Sequence, residues 1–173
     1  MKELLVVIDM QKDFVDGALG TKEAQNIVDD VVNKVKKAKE CGKDVIFTKD
    51  THHQNYLLTQ EGRNLPVAHC IKGTPGWELI PQLLDFAEDC VILEKSVFGS
   101  TALAHMAVKE GYESIELIGL CTDICVISNA MILKSSLPEA KISVDASCCA
   151  GVTPESHKNA LEAMKMCQIT ITE

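Results

Sequence analysis

The feature that most constrains this chain is a regular alternation of short, β-rich apolar runs with stretches of helical periodicity. Leu4-Leu5-Val6-Val7-Ile8 is apolar at every position, as a strand covered on both faces must be. From Asn26 to Cys41 the residues Ile27, Val28, Val31, Val32, Val35 and Ala38 recur at helical spacing, with Lys and Asp between them and Gly42 as a stop. Further strand patterns lie at Asp44 to Thr48, Val91 to Leu93, Ile115 to Leu120, Ile142 to Val144 and Ile169 to Ile171. Helical patterns fill Thr101 to Glu110, Asp123 to Leu137 and a last segment from Pro154, with Thr153 as its N-cap. Such alternation predicts right-handed crossovers and a three-layer α/β/α fold, a mostly parallel six-stranded sheet with helices on both faces. With 173 residues the chain has the size of one domain, so 1–173 is read as a single unit.

Composition narrows the function classes. Lys and Arg total 17 against 25 Asp and Glu, a net charge of −8, which argues against a grip on phosphate backbones and so against a nucleic-acid partner. No apolar run approaches the ~20 residues of a membrane span. The apolar start, Leu4 to Ile8, is short and runs into Asp9 rather than a cleavage site. Eight cysteines fall short of a disulfide scaffold, and reduced thiols in a cytoplasmic protein are the expectation.

In an open α/β sheet, ligands bind outside the carboxyl ends of the strands. The residues that follow the expected strands are Asp9, Asp50 with His52, Glu94-Lys95, Cys121 with Cys125, and Asp145. Each has an ordinary structural use, since Asp often caps turns and free Cys often packs in cores. Together they form a coherent set. Cys125 in the first turn of a helix, with Lys95 nearby, favours thiolate, and Asp9 can take the thiol proton and return it to a leaving amine.

The segment 49–82 breaks the alternation and holds three of the five histidines and three of the five prolines. A connection this long is usually functional. Asp50, His52, Glu61 and His69 supply two carboxylates and two imidazoles, a donor set for Zn²⁺, Fe²⁺ or Mn²⁺. His53, adjacent to His52, is expected to point away from the site.

These residues resemble a known family. Val7-Ile8-Asp9-Met10-Gln11-Lys12-Asp13-Phe14, Lys95 with Ser96-Val97-Phe98-Gly99-Ser100, and Gly119-Leu120-Cys121-Thr122-Asp123-Ile124-Cys125-Val126 look like the three signatures of the isochorismatase-like cysteine hydrolases. The similarity extends through Val144-Asp145-Ala146 and Thr153-Pro154-Glu155 to His157. Asp50-Thr51-His52, Glu61 and His69-Cys70 with Gly73-Thr74 look like the metal loop of the family's nicotinamidase branch.

The resemblance implies a triad of Asp9, Lys95 and Cys125, and a cis peptide at Leu120-Cys121 that aims the Cys121 N–H, with that of Cys125, at an oxyanion. It also implies one divalent metal, zinc first and iron or manganese as alternatives, on Asp50, His52, Glu61 and His69. The substrate would be a small amide, nicotinamide first, contacted by Phe14 and Leu120, and the assembly a homo-oligomer of two or more chains. Other readings are a relative acting on another small amide, a carbamoyl or ureido compound or isochorismate, and a non-catalytic metal- or thiol-binding protein.

Two departures from the family pattern bear on the site. The ring-stacking aromatic usual before the second metal histidine is replaced by Leu65-Pro66-Val67-Ala68, leaving Tyr56 and Trp77 as candidates for that wall. Cys121 stands where a small aliphatic residue is usual, four positions from Cys125; it can simply fill volume, which is the commoner use of a free Cys, or form a reversible disulfide with Cys125. Cys41, Cys70, Cys90, Cys148, Cys149 and Cys167 are expected to be small buried residues.

Overall fold

The computed structural model describes residues 2–173. Strands β1 (Glu3–Ile8), β2 (Asp44–Asp50), β3 (Val91–Lys95), β4 (Ser114–Leu120), β5 (Lys141–Ala150) and β6 (Thr170–Thr172) form one sheet in the order β3-β2-β1-β4-β5-β6. Every neighbouring pair is parallel. The helices are α1 (Lys12–Val15), α2 (Lys22–Asn26), α3 (Val28–Glu40), α4 (Gln60–Asn64), α5 (Pro81–Ala87), α6 (Thr101–Glu110), α7 (Ile127–Ser136) and α8 (Pro154–Met166). No helix among the described residues is long and apolar enough to cross a membrane.

β1 shows why its sequence is apolar throughout. Leu4, Val6 and Ile8 pack with Leu103 of α6, Leu133 of α7 and Met164 of α8, while Leu5 and Val7 pack with Val31 and Val35 of α3 and Leu83 of α5. Successive side chains point to opposite faces, and both faces are covered. Each fully buried side chain of this kind contributes roughly 1.5–3 kcal/mol.

Three expected elements take a different form. The helix expected over Asn26 to Cys41 starts only at Val28, as α3, and a short helix that the pattern did not show, α2, precedes it and ends at Asn26; the Thr21 side chain caps α2 by accepting from the Ala24 N–H at 3.0 Å. The helix expected from Asp123 opens with a single π turn, Thr122–Val126, in which the Val126 N–H donates to the Cys121 carbonyl. The fifth strand is much longer than Ile142 to Val144. Its pairing with β4 breaks after Leu117–Val144 and resumes at Gly119–Cys149, so Asp145 to Cys148 bulge out of the ladder. Asp145 therefore lies inside the strand. Its carboxylate accepts from Lys34 Nζ at 2.6 Å and from Ser147 Oγ at 2.7 Å, away from the groups assembled at the other strand ends.

The strand order reverses between β1 and β4, which makes their carboxyl ends the switch point where such sheets bind ligands. Close approach there depends on Gly119, paired with Ile8. It has φ +115°, and a Cβ would lie 2.1 Å from the Ile8 carbonyl oxygen. Gly119→Ala should therefore cost about 3 kcal/mol or more. Urea unfolding of the two proteins measures this, and a loss below about 1 kcal/mol would mean that β1 and β4 can separate at little cost.

Candidate active site and metal centre

Asp9 follows β1 directly, in the left-handed region at φ 48°, where Asp is tolerated better than most residues. It is fully buried. Its N–H donates to the Thr48 carbonyl of β2 at 3.2 Å, and its Oδ1 accepts from the Thr48 hydroxyl at 2.6 Å. Lys95 ends β3, two strands away, and its long side chain crosses the end of β2. Its Nζ lies 2.6 Å from Asp9 Oδ2, 3.4 Å from Asp50 Oδ1 and 3.4 Å from Cys125 Sγ, and donates to the Val97 carbonyl at 3.2 Å. Cys125 occupies the π turn after β4, and the Leu120–Cys121 peptide is cis. The last family-like stretch holds α8 against this turn: Thr122 Oγ1 is 2.7 Å from His157 Nδ1, and the Val152 N–H donates to Asp123.

Burial dominates the charge states. It raises the Asp9 carboxyl above its usual range, an effect that Lys95 opposes and Asp50 reinforces. It works against the Lys95 charge, yet Asp9, Cys125 and Asp50 outweigh it and keep the ammonium protonated well above the ordinary range. For Cys125, burial and the Asp9 charge push the thiol well up, and Lys95 only partly offsets them. Burial and the Asp9 charge therefore outweigh the influence of Lys95 on the thiol, because one ammonium shared with two carboxylates does not compensate for burial.

The long loop folds back on itself to gather the second cluster. The His52 N–H donates to the Cys70 carbonyl and the Lys72 N–H to the His52 carbonyl. The Cys70 N–H, at a residue with φ 46°, donates to Asp13 Oδ2 at 2.7 Å. Gln11, fully buried, accepts from the Asp50 N–H at 2.7 Å and donates to the Asp50 and Trp77 carbonyls at 2.8 Å each. The result is one group in which Asp50, His52, Glu61 and His69 place ligand atoms within 4.8 Å of one another. His52 Nε2 is 3.0 Å from Asp50 Oδ2 and 3.4 Å from Glu61 Oε1. His69 Nε2 is 3.5 Å from Asp50 Oδ2, and its Nδ1 faces the Val67 carbonyl at 2.8 Å. Donation from Nδ1 to that carbonyl leaves the Nε2 lone pair directed into the group. Burial opposes ionisation of Asp50, but His52, His69 and Lys95 hold its pKa well below the usual range. Two imidazoles and two carboxylates converging this closely suit a divalent ion with nitrogen and oxygen ligands. His53 is exposed and outside the group.

Both clusters meet at a cavity of about 220 Å³. Cys121, Cys125, Asp50, Glu61 and His69 line it, with Phe14, Leu19, Leu65, Phe98, Ile124 and Val152 as its apolar walls and Thr21 as a further polar contact. Phe14 is thus where the sequence placed it, but the Leu120 side chain is not. Leu120 is buried in the core with Leu5 and Val7 and does not line the cavity. Tyr56 is no substitute ring wall either. It is buried behind the imidazoles, 4.6 Å from His52 and 5.0 Å from His69 between ring centroids, and its hydroxyl donates to the Leu65 carbonyl. Trp77 is held elsewhere by Thr51 and by Lys49, whose Nζ is 3.1 Å from the ring centroid. The unanticipated wall is Phe98, which follows β3 at the carboxyl edge, so the rule that located Lys95 could also have located it.

All eight cysteines are free thiols, Cys121 and Cys125 included. Cys41 and Cys167 are exposed rather than buried, and Cys90 is half-buried, because the first two terminate α3 and α8 at the surface. They serve as references for a reactivity measurement. A raised folded-state pKa keeps Cys125 protonated through neutral pH, so its thiolate fraction grows about tenfold per pH unit. Its iodoacetamide labelling should rise continuously through pH 9, whereas a plateau reached by pH 7 would mean that the Lys95 charge wins.

A family model, the isochorismatase domain, matches residues 3–173. The isochorismatase family protein PncA of Bacillus subtilis (strain 168) is 32% identical over 143 residues, covering 76% of this chain and 78% of that protein. Among solved structures, the nicotinamidase/pyrazinamidase PncA from Bacillus subtilis superposes with a TM-score of 0.90 at 29% identity, covering both chains fully. The pyrazinamidase of Pyrococcus horikoshii in complex with zinc does so at 0.87 and 30%, covering 100% of this chain and 99% of that one. With a match that spans the sheet, the loop and both clusters, this chain belongs to the isochorismatase domain family.

Proposed function

We propose that this chain is a metal-dependent cysteine amidase that hydrolyses nicotinamide to nicotinate and ammonia. The observation that carries the reading is one buried ammonium, Lys95, 2.6 Å from the Asp9 carboxylate and 3.4 Å from the Cys125 thiol, and that thiol lines a cavity together with Asp50, Glu61 and His69. Relatives named as nicotinamidases and pyrazinamidases, one of them in complex with zinc, support it.

In the proposed reaction Asp9 takes the Cys125 proton as Sγ attacks the carboxamide carbon. Its raised pKa suits a group that must accept and then release a proton. Lys95 stays protonated and stabilises the sulfur as it gains charge. The backbone N–H groups of Cys121 and Cys125 receive the oxyanion. The C–N bond breaks as Asp9 protonates the amine, ammonia leaves, and water, deprotonated by Asp9, cleaves the thioester to release the acid and restore the thiol. Asp50, His52, Glu61 and His69 would hold a divalent ion, zinc before iron or manganese, which would supply a Lewis-acid point for a ring nitrogen of the substrate. Phe14 and Phe98 flank the ring. A neutral amide is favoured over isochorismate or a carbamoyl amino acid, because those bring carboxylates and no lysine or arginine lines the cavity.

We place the enzyme in the cytoplasm and expect it to self-associate. The outer edge of β3 exposes Val91 and Ile92, an unpaired strand edge of the kind that invites pairing.

Ammonia release should be seen with nicotinamide and pyrazinamide and vanish in Cys125→Ala. Asp9→Asn and Lys95→Ala should each lower kcat by about 10²–10⁴. Chelation should abolish turnover and zinc restore it, and turnover that survives metal removal would contradict the role given to the loop. Light scattering should report at least two chains per particle, and a monomer would remove the β3 edge as a contact.

A further inference from the structure

α7 carries a fully buried polar residue, Asn129, among the apolar Ala130 and Leu133. Such a position is ordinarily filled by an apolar side chain, because a buried amide is costly unless it is hydrogen-bonded. Asn129 uses three of its four hydrogen-bonding positions. Its Nδ2 donates to the Cys125 carbonyl at 2.8 Å and to the Phe98 carbonyl at 3.1 Å, and its Oδ1 accepts from the Ser100 N–H at 2.9 Å. All three partners belong to segments that build the cavity.

We propose that Asn129 is a positioning residue that fastens the Cys125 turn to the 96–100 loop, and thereby sets both the thiol and the Phe98 wall. This rests on the reading of Cys125 as nucleophile. The first bond holds the peptide that carries Cys125, inside a π turn that lacks the regular α-helical ladder. The other two hold the loop in which the Val97 carbonyl accepts from Lys95 Nζ at 3.2 Å. The contact between loop and helix is close: a Cβ on Gly99 would lie 2.5 Å from Ile132 Cδ1. One amide thus relates the thiol, the ammonium's carbonyl partner and the aromatic wall, groups contributed by the ends of β4 and β3.

The two halves of this role are separable. Asn129→Leu removes all three bonds while keeping the branching at Cγ and the number of side-chain heavy atoms. Threonine inside a helix can donate its hydroxyl to the carbonyl four residues back, here Cys125, but cannot bridge to Phe98 and Ser100. Nicotinamide kinetics and competitive iodoacetamide labelling of Cys125, with Cys41 as reference in the same tube, read the outcome. Asn129→Leu should lower kcat by about 30-fold, raise KM by about fivefold and slow Cys125 labelling by about tenfold, since small displacements of reacting groups cost this much. Asn129→Thr should bring kcat and labelling back to within about threefold of wild type while KM stays raised.

A folded leucine variant with kcat and labelling within twofold of wild type overturns the proposal. So does a folded threonine variant that labels no faster than the leucine variant. If the leucine variant does not fold, the threonine variant decides alone: labelling near wild type with raised KM supports the role, and labelling slowed tenfold overturns it. If wild type turns over no amide, the amidase reading falls, and the labelling rates of the variants still decide the role of Asn129.

Discussion

The buried ammonium of Lys95 is the interaction on which the site depends. Asp9, Asp50 and Cys125 all lie at the carboxyl edge of the sheet, all shielded from water, and two of them are carboxylates. Without a cation among them the carboxyl groups could not both remain ionised. Lys95 reaches Asp9 and Asp50 together, and its own charge is retained because they surround it. One ammonium does not balance two carboxylates and a thiolate, so burial and the Asp9 charge push the Cys125 thiol up despite Lys95. The surplus negative charge of Asp50 and Glu61 is then available to the group that also contains His52 and His69, which links the two clusters through a shared aspartate.

The long loop supports that arrangement by backbone accounting rather than by a core. Its strand-like pairing of His52 with Cys70 and Lys72, the Asp13 carboxylate on the Cys70 N–H, and Gln11 on both sides of Asp50 satisfy polar groups that an irregular buried segment would otherwise leave unpaired. Tyr56 then packs behind both imidazoles. The missing aromatic before His69 leaves Leu65 in the cavity wall, with Phe14 and Phe98 as the rings that remain.

Much of this was legible beforehand, and the misses have common causes. The strand order could not be read from patterning, yet the rule for carboxyl ends located Asp9, Asp50, Lys95 and Cys125 without it, because every parallel strand delivers its C-terminal residue to the same edge. The same rule failed for Asp145, since a polar residue in a bulge looks like the end of a strand when β-bulges carry no periodic signal. Leu120 was misplaced because a signature stretch says which residues are near the chemistry but not which side of the sheet each faces. Its neighbour in space is the core shared with Leu5 and Val7. The balance of influences on the Cys125 thiol was legible only in part. A helix start and a nearby lysine are visible in sequence, whereas the degree of burial and the number of carboxylates sharing that lysine are not.

The amino-acid sequence by itself determined the layer architecture, the identity of the groups at the strand ends and the donor types of the loop, because hydrophobic period and residue chemistry are local properties. Only the tertiary structure decided that Lys95 bridges Asp9 and Asp50, that the four loop donors converge within 4.8 Å, and that Asn129 ties the Cys125 turn to the Phe98 loop. Those relations join residues tens of positions apart, and their distances follow from how the sheet twists, how the loop closes and how closely the helices pack.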